Sequence, residues 1–460
     1  AIDADPLERR VAEACDALWD ALVDPREAYL DDDRAWWPAV AAGGAGPAAA
    51  APWLDEGRLA AVRLECRTLA ATNEFAINGI ENRISYLVGA GHLYRAAVRK
   101  GAPADAELVA QVQEVIDEFV VDNAWHARQQ EIVRRLDRDG EAFLRFFVDG
   151  RGATRVRFIE PEQVATPPEL ARAPGVSFGV HCEADDAETP LGYYVDGAPV
   201  DAAQVQHRKA NVDGNVKRGL PLYFPVRKNL RRVEKLLRNM SALAEMQSAI
   251  ALIRKHRSAG RHGIEQFAAE QADAAAGRAT GRRLARYGPG TILDAPAGLE
   301  YDFPAAGVNA GAFVAVLQAE LRAIAARLVM PEFMFTSDAS NANYSSTLVA
   351  EGPAVKMFER LQAGLKHDDS RVLARVLDNA AAAGRLPADV RRRIEIQTAL
   401  PSLHVRDHFK EVQIERIAYE AGVLSAQTWS QRLGLDYDQE QKNRALCIVA
   451  RSTPAASADS

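Results

Sequence analysis

Cysteine is scarce in this 460-residue chain. Cys15, Cys66, Cys182 and Cys447 are the only four, and no two share a CxxC spacing. Neither a zinc ribbon nor a disulfide framework follows, and a reducing compartment during assembly is the plain expectation. Aromatic residues make up only 7% of the chain. Long hydrophobic runs are missing as well. The stretch 38–54 lacks charge, but it is built of Ala, Gly and Pro rather than Leu or Ile, and the apolar segment 310–330 carries Gln318, Glu320, Arg322 and Arg327. No membrane span is expected, and no secretory signal is visible. Positive charge is not in excess: the net charge is −7 and the pI about 5.8, without the basic footprint of a protein that grips DNA phosphates. A conduit through which DNA slides is compatible with that balance, because each Lys–phosphate contact would act as a trap.

Catalytic signatures are missing too. No glycine-rich loop ends in Gly-Lys-Ser/Thr, no HExxH occurs, and no Ser/His/Asp or Cys/His arrangement stands out. His404 and His408 have the i, i+4 spacing of a helical metal pair, but two histidines are half a site at best, and a polar helix face is the plain explanation. A metal-dependent hydrolase using them with a distant carboxylate is one rival reading. Asp31-Asp32-Asp33 reads as a cation ligand set or a solvated acidic turn. Ser345-Ser346 reads as the cap of the following helix. No cofactor is implied, and the chain reads as a non-enzyme.

What the chain does have is length and helical patterning. At 460 residues two or three folding units are expected. Residues 5–30 pattern as an amphipathic helix (Val11, Leu18, Leu22), followed by the Ala/Gly/Pro-rich arm. The spacing predicts helix from Leu59 to Arg99 with a break at Gly89-Ala90-Gly91, then one helix from Ala104 to about Arg138. At Gly140 the period switches to alternation. Ala142–Val148 and Thr154–Ile159 around a glycine-rich turn form a β-hairpin, extended by Val176–His181 and Leu191–Val195. From Pro225 a helix of about 30 residues is expected on the stripe Val226, Leu230, Val233, Leu237, Met240, continuing to Ile250 and Ile253. Its other face carries Arg227, Lys228, Arg231, Arg232, Lys235 and Arg238. A roughly 50-residue insert follows, basic at Arg254, Lys255, Arg257, Arg282 and Arg283, and then a second long helix, Ala310–Met330. A helical nucleic-acid-binding protein using the 227–238 face is the second rival, and it requires salt-sensitive binding by the monomer.

The stretch Thr336–Ser346 (TSDASNANYSS) between two helical segments is the most telling feature. It reads as a polar loop with no apolar anchor after Phe335, the kind that faces solvent or lines a cavity. The helix after it, Thr347–Gln362, is expected to be broken or kinked at Gly352-Pro353. Residues 365–450 read as mostly helical, with a disordered tail.

Four stretches together resemble portal proteins of tailed bacteriophages, in the lambda-like group: Ala76–Arg95 (AINGIENRISYLVGAGHLYR), Gly140–Phe147 (GEAFLRFF), Arg218–Ile250 opening on Arg-Gly-Leu-Pro, and Met330–Phe358 (MPEFMFTSDASNANYSSTLVAEGPAVKMF). The resemblance implies an α+β, mostly α fold of portal type. Its parts would be an N-terminal helix and arm (1–58), a wing (59–215), a first stem helix (216–253), a clip (254–306) and a second stem helix (307–330). A tunnel loop (331–346) would follow, then a kinked tunnel helix with more wing (347–400), and C-terminal crown or outer-wing helices with the tail (401–460). It further implies a self-assembled ring, usually of twelve subunits, at one capsid vertex of the virion, assembled in the host cytoplasm. Double-stranded DNA would pass through its channel during packaging and ejection. Terminase (its large subunit), a head–tail adaptor, and the major capsid and scaffold proteins would be its partners. Thr336, Ser337, Asp338, Asn341, Asn343 and Tyr344 would face the DNA.

Overall fold

The computed structural model describes residues 56–183, 186, 188–255, 291–295, 310–338, 340, 344–403, 408–432 and a few positions between 435 and 445. The expected N-terminal helix, the Ala/Gly/Pro arm and the C-terminal tail lie outside the described residues. The chain divides into two compact units, residues 1–227 with 328–460, and residues 228–327. Described elements run in the order α1 (Glu56–Thr72), α2 (Glu74–Leu87), β1 (Leu93–Val98), α3 (Ala106–Asp122), α4 (Trp125–Asp139), β2 (Glu141–Val148) and β3 (Thr154–Ile159). Then come β4 (Val176–Ser177), β5 (Val180–Cys182), β6 (Pro190–Val195), β7 (Ala198–Asp201), β8 (Val205–Lys209), α5 (Arg227–Ala249), β9 (Ile250–Lys255) and β10 (Thr291–Ala295). The rest are α6 (Ala310–Leu328), α7 (Glu332–Thr336), α8 (Tyr344–Ala382), α9 (Val390–Arg393), β11 (Ile394–Ala399), α10 (His408–Glu420) and α11 (Ala426–Arg432). The protein is α+β and mostly α.

In the first unit, small polar side chains set the helix boundaries. Asn73 caps α2 by accepting the Ala76 N–H at 3.1 Å, and Asp105 caps α3 by accepting that of Leu108 at 3.0 Å. The single helix expected over 104–138 is two helices. Asn123 donates to Phe119 O and Thr154 O and accepts from Val156 N, and Ala124 turns left-handed at φ 46°. One asparagine therefore ends α3 and occupies the outer edge of β3. Trp125 opens α4 fully buried, with its ring 5.1 Å from Phe119.

The expected hairpin is present. β2 pairs antiparallel with β3 from Phe143↔Ile159 to Val148↔Thr154, and with β8 on its other side. The later short strands form a separate four-stranded sheet, β4-β5-β6-β7, rather than extending the hairpin. Phe143, Ile159, Val180, Tyr193 and Val205 form the apolar core that joins the two sheets. A strand stands where the second part of the 59–99 helix was expected: β1 pairs with β11, about 300 residues away in sequence, from Leu93↔Ala399 to Val98↔Ile394.

In the second unit, α5 is shorter than expected. It ends at Ala249, and Ile250–Lys255 is a strand paired in parallel with β10. Isoleucine and leucine at 250, 252 and 253 fit either period, and β-branching favours the strand. Leu230 and Val233 are buried, while Leu237 and Met240 farther along the same stripe are only half-buried. Asn229 donates to Glu320 at 2.6 Å and Arg232 lies 3.8 Å from the same carboxylate, tying α5 to α6.

Candidate functional site

The polar segment after Phe335 is shorter than the sequence pattern implies. Thr336 is the last residue of α7, not the start of a loop, and its hydroxyl donates to Glu332 O at 2.9 Å. At the other end, Tyr344, Ser345 and Ser346 already belong to α8, so the two serines sit inside its first turn instead of capping it. Between them Ser337 turns left-handed (φ 59°) and exposed Asp338 accepts the Ser340 N–H at 2.9 Å. The hydrogen bonds from Ser340 hold the Asp338 carboxyl below its ordinary value. Asn341 and Asn343 lie outside the described residues, as does the side chain of Tyr344. The α8 assignment also runs unbroken through Gly352 and Pro353, where a break was expected.

Both flanks of this segment are held by one helix, α2. On the approach side, Val329 takes φ 55°, a strained value for a β-branched residue, and Pro331 leads into α7. Asn78 Nδ2 donates to Phe335 O at 2.7 Å and Met334 O at 3.1 Å, and Asn82 Nδ2 donates to Met334 O at 2.7 Å. These two asparagines, spaced i, i+4 on one face of α2, satisfy carbonyls that a five-residue helix leaves open at its C-terminus. Phe335 is fully buried, with its ring 5.9 Å from Phe75. Between the asparagines is Gly79. A Cβ there would come within 2.8 Å of Tyr223 Oη, 3.2 Å of Leu328 and 3.2 Å of Phe335. Only glycine lets α7 and Tyr223 approach α2 this closely, and Tyr223 in turn donates to Ala76 O at 2.6 Å.

On the exit side, α8 is fixed one turn past Pro353. Ala354, Met357 and Phe358 are buried, and Phe358 stacks on Tyr86 of α2 at 4.8 Å. Gln362 Nε2 donates to Tyr86 O at 2.9 Å, and Arg83 donates to Met357 Sδ at 3.3 Å. Phe75, Asn78, Gly79 and Asn82 thus hold the entry to the polar segment, and Arg83 and Tyr86 hold its exit. The sequence pattern did not single out Asn78 and Asn82; their i, i+4 spacing on the buried side of an amphipathic helix was the available signal.

Two buried ionic hubs tie the surrounding elements together. Glu141, at the start of β2, accepts from Arg218 Nη2 at 2.7 Å, from Arg63, from the Gly219 N–H at 3.0 Å and from His207 at 3.0 Å. Burial would raise its carboxyl, but Arg218 and then Arg63 hold it well below the usual range, while burial pushes His207 down. Gly140 and Gly219 touch backbone to backbone here, which brings the Gly-Glu-Ala-Phe and Arg-Gly-Leu-Pro stretches together. The second hub is Asp369 on α8, which accepts from Arg208 at 2.9 Å, Tyr94 at 2.8 Å and Gln129 at 2.7 Å, with His92 at 3.2 Å. Its burial opposes ionisation, yet Arg208, His92 and Tyr94 bring the pKa down to about 2.

The basic face of α5 is partly neutralised. Arg227 lies 3.3 Å from Glu65 and over the Phe224 ring, Arg232 reaches Glu320, and Arg238 pairs with Glu234 at 2.7 Å. Lys228, Arg231 and Lys235 also have partners. Arg254 and Lys255 end strand β9, while Arg257, Arg282 and Arg283 lie outside the described residues. Among the described residues no group of three or more His, Cys, Asp or Glu is placed to hold a metal, and no helix is long and apolar enough to cross a membrane. His404 and the side chain of His408 lie outside the described residues.

Against known proteins, a model of phage portal proteins of the lambda family matches residues 45–362. No curated protein matches the sequence. Among solved structures, a chain from the virion of a native gene transfer agent particle is 17% identical, with 88% of this chain and 99% of that one covered, at a TM-score of 0.45. A chain from the neck of the native gene transfer agent particle, computed with C12 symmetry, is also 17% identical, covering 81% and 93%, at 0.42. An HK97 family phage portal protein from Corynebacterium diphtheriae is 13% identical, covering 62% and 83%, at 0.32. The family match runs from before α1 into α8, takes in the whole of the α2-clamped segment, and spans well over half of the chain. The chain therefore belongs to the lambda family of phage portal proteins.

Proposed function

We propose that this portal protein closes into a ring with an axial channel for double-stranded DNA, and that ring contacts are made through its long helices. The observation that carries this is the first half of α6. Residues 310–317 (AGAFVAVL) contain no charged or polar side chain, and in the single chain Val314 and Val316 are 40% and 51% exposed while Phe313 and Leu317 are only half-buried. A helix apolar on every side is stable in water only when it is covered on every side. Copies of the chain arranged around an axis supply that cover, and the same logic applies to the half-buried Leu237 and Met240 of α5.

In this reading, residues 59–215 with the helix after the polar segment form the wing, α5 and α6 the stem, 254–306 the clip that meets the terminase motor and later the head–tail adaptor, and 401–460 the crown or outer wing. Capsid and scaffold proteins would contact the ring's periphery. The segment from Ser337 to Asn343, held at both ends by α2, would project toward the DNA. Its side chains carry one formal charge, Asp338, so weak and exchangeable contacts would let the duplex slide. Pro353, which removes one backbone donor, would bend α8 beyond that point. ATP hydrolysis would belong to the motor. The partial neutralisation of the α5 basic face weighs against the monomeric nucleic-acid binder.

The test is Val314→Asp/Val316→Asp. Both side chains are exposed in the single chain, so the variant should melt within a few degrees of wild type, yet native mass spectrometry should find it as monomers where wild type forms rings. Rings of unchanged abundance would exclude α6 from the interface.

A further inference from the structure

Arginine in the first unit is paired almost everywhere it is buried: Arg63, Arg67, Arg83, Arg135, Arg208 and Arg218 each meet a carboxylate. The arginines of the β2–β3 hairpin are not paired in this way. Arg145 and Arg157 stand directly opposite each other across the two strands, and Arg155 lies opposite Phe147 on the same face. Like charges in direct cross-strand register destabilise a sheet unless something of opposite sign covers them. None of Arg128, Arg145, Arg155 and Arg157 forms an ion pair with a carboxylate among the described residues. Arg145 Nε is buried with no hydrogen-bond partner, Arg157 donates to the carbonyl of its own neighbour Val156, and Arg128 donates to Asn123 O. Burial and then repulsion from Arg157 push the Arg128 guanidinium below its ordinary value. The nearby Asp149 carboxylate is committed to the turn, accepting from the Arg151 and Ala153 amides at 2.9 Å each. Beside these cations, on the same face, Phe147 is 45% exposed, and the Arg145 guanidinium lies over its ring at 5.1 Å. Arginine interleaved with exposed aromatic surface is the composition of a protein-binding hot spot, whereas phosphate backbone alone would leave the apolar surface uncovered.

We infer that this face receives the acidic-aromatic segment Asp31-Asp32-Asp33-Arg34-Ala35-Trp36-Trp37 from the N-terminal arm of the same protein. Charge and chemistry are complementary: three carboxylates for the arginines, and two indoles for Phe147 and the guanidinium faces. The reach is sufficient. The described chain begins at Glu56, whose carboxylate accepts the Thr166 N–H at 3.0 Å, seven residues beyond the end of β3. The 18 residues 38–55, rich in Ala, Gly and Pro, span about 23 Å as a coil and about 60 Å when extended. That covers the hairpin of the same subunit or of a neighbour in an assembly.

The test uses the full chain in four forms: wild type, R155E/R157E, D31K/D32K/D33K, and the two sets combined. Chymotrypsin cleavage after Trp36 reports release of the arm; the Trp37-Pro38 bond is resistant. Cleavage of each single-sided variant should be roughly tenfold faster than wild type, because several ion pairs are lost together and proteolysis follows the open population. The combined variant, with its charges exchanged, should return to within about threefold of wild type. Arg155 and Arg157 are exposed, so a thermal melt should show the fold unchanged in all four. Equal cleavage of all four forms would overturn the assignment. So would loss of salt-sensitive retention of a duplex oligonucleotide in R155E/R157E without any change in cleavage, which would give the face to nucleic acid.

Discussion

Replacing Asn78 and Asn82 together by leucine isolates what α2 does for the polar segment. Their amides make three hydrogen bonds to two carbonyls, Met334 O (2.7 and 3.1 Å) and Phe335 O (2.7 Å). Leucine suits the helical backbone of α2 and supplies no donor. Each half-buried carbonyl left without a partner costs about 1–1.5 kcal/mol, so the approach side of the segment should lose about 2–3 kcal/mol. Phe335 stays packed on Phe75, so α7 opens locally rather than dragging the unit with it. At about 1.4 kcal/mol per factor of ten, amide exchange over residues 333–338 should accelerate roughly 30- to 150-fold. The amides of α8 beyond Phe358, fixed separately by Tyr86 and Gln362, should be unaffected. The assay is hydrogen exchange read by mass spectrometry on the full protein. Unchanged exchange at 333–338 would refute the two-sided clamp, and equal acceleration of both flanks would show that α2 holds them as a single cooperative piece.

Acid should weaken the Asp369 hub. Its folded pKa, about 2, lies below the ordinary 3.8, so its stabilisation is full above pH 3.8 and is lost as pH falls toward 2; the difference amounts to about 2 kcal/mol. Urea midpoints measured from pH 6 to pH 2.5 should fall accordingly in wild type, while Asp369→Asn, already weakened by loss of the Arg208–Asp369 ion pair, should lack that component. Gly79→Ala should destabilise by about 1–2 kcal/mol despite alanine's better helix propensity, since its Cβ would meet Tyr223 Oη at 2.8 Å. In a Tyr223→Phe background the loss should shrink, as a double-mutant thermal cycle would reveal; a stabilising Gly79→Ala would contradict the close approach. Asn341→Arg/Asn343→Arg should leave rings intact and cut DNA packaging yield, because added phosphate contacts retard sliding, and an unchanged yield would remove those residues from the DNA path.

Much of this fold is written locally and can be read without a structure. The switch of period at Gly140 marks the hairpin because β2 and β3 pair with each other across a five-residue turn. The stripe from Val226 to Met240 marks α5 because one face of it is covered along its first turns. What escapes the sequence depends on distant partners. β1 and β11 are strands only because they pair across some 300 residues; alone, LYRAAV and IEIQTA read as continuations of the neighbouring helices. Asn123 splits α3 from α4 because β3 offers its edge, and no local propensity predicts that. Tyr344–Ser346 are helical, although serines there suggest a cap, because α8 is secured from Ala354 onward and propagates back. The same α8 anchoring tolerates Gly352-Pro353 inside a 39-residue helix. At the candidate site the polar segment was legible from composition, but its support was not: Asn78, Gly79 and Asn82 acquire their roles only when α7 lies against them.

The measurement that bears most directly on the channel is electron microscopy of the purified full-length protein, viewed along the axis of any closed particle. The account requires rings of identical subunits with α6 packed between neighbours and residues 337–343 at the rim of the central opening. A protein that stays monomeric under every assembly condition, or rings in which residues 337–343 lie on the outer edge, would contradict it.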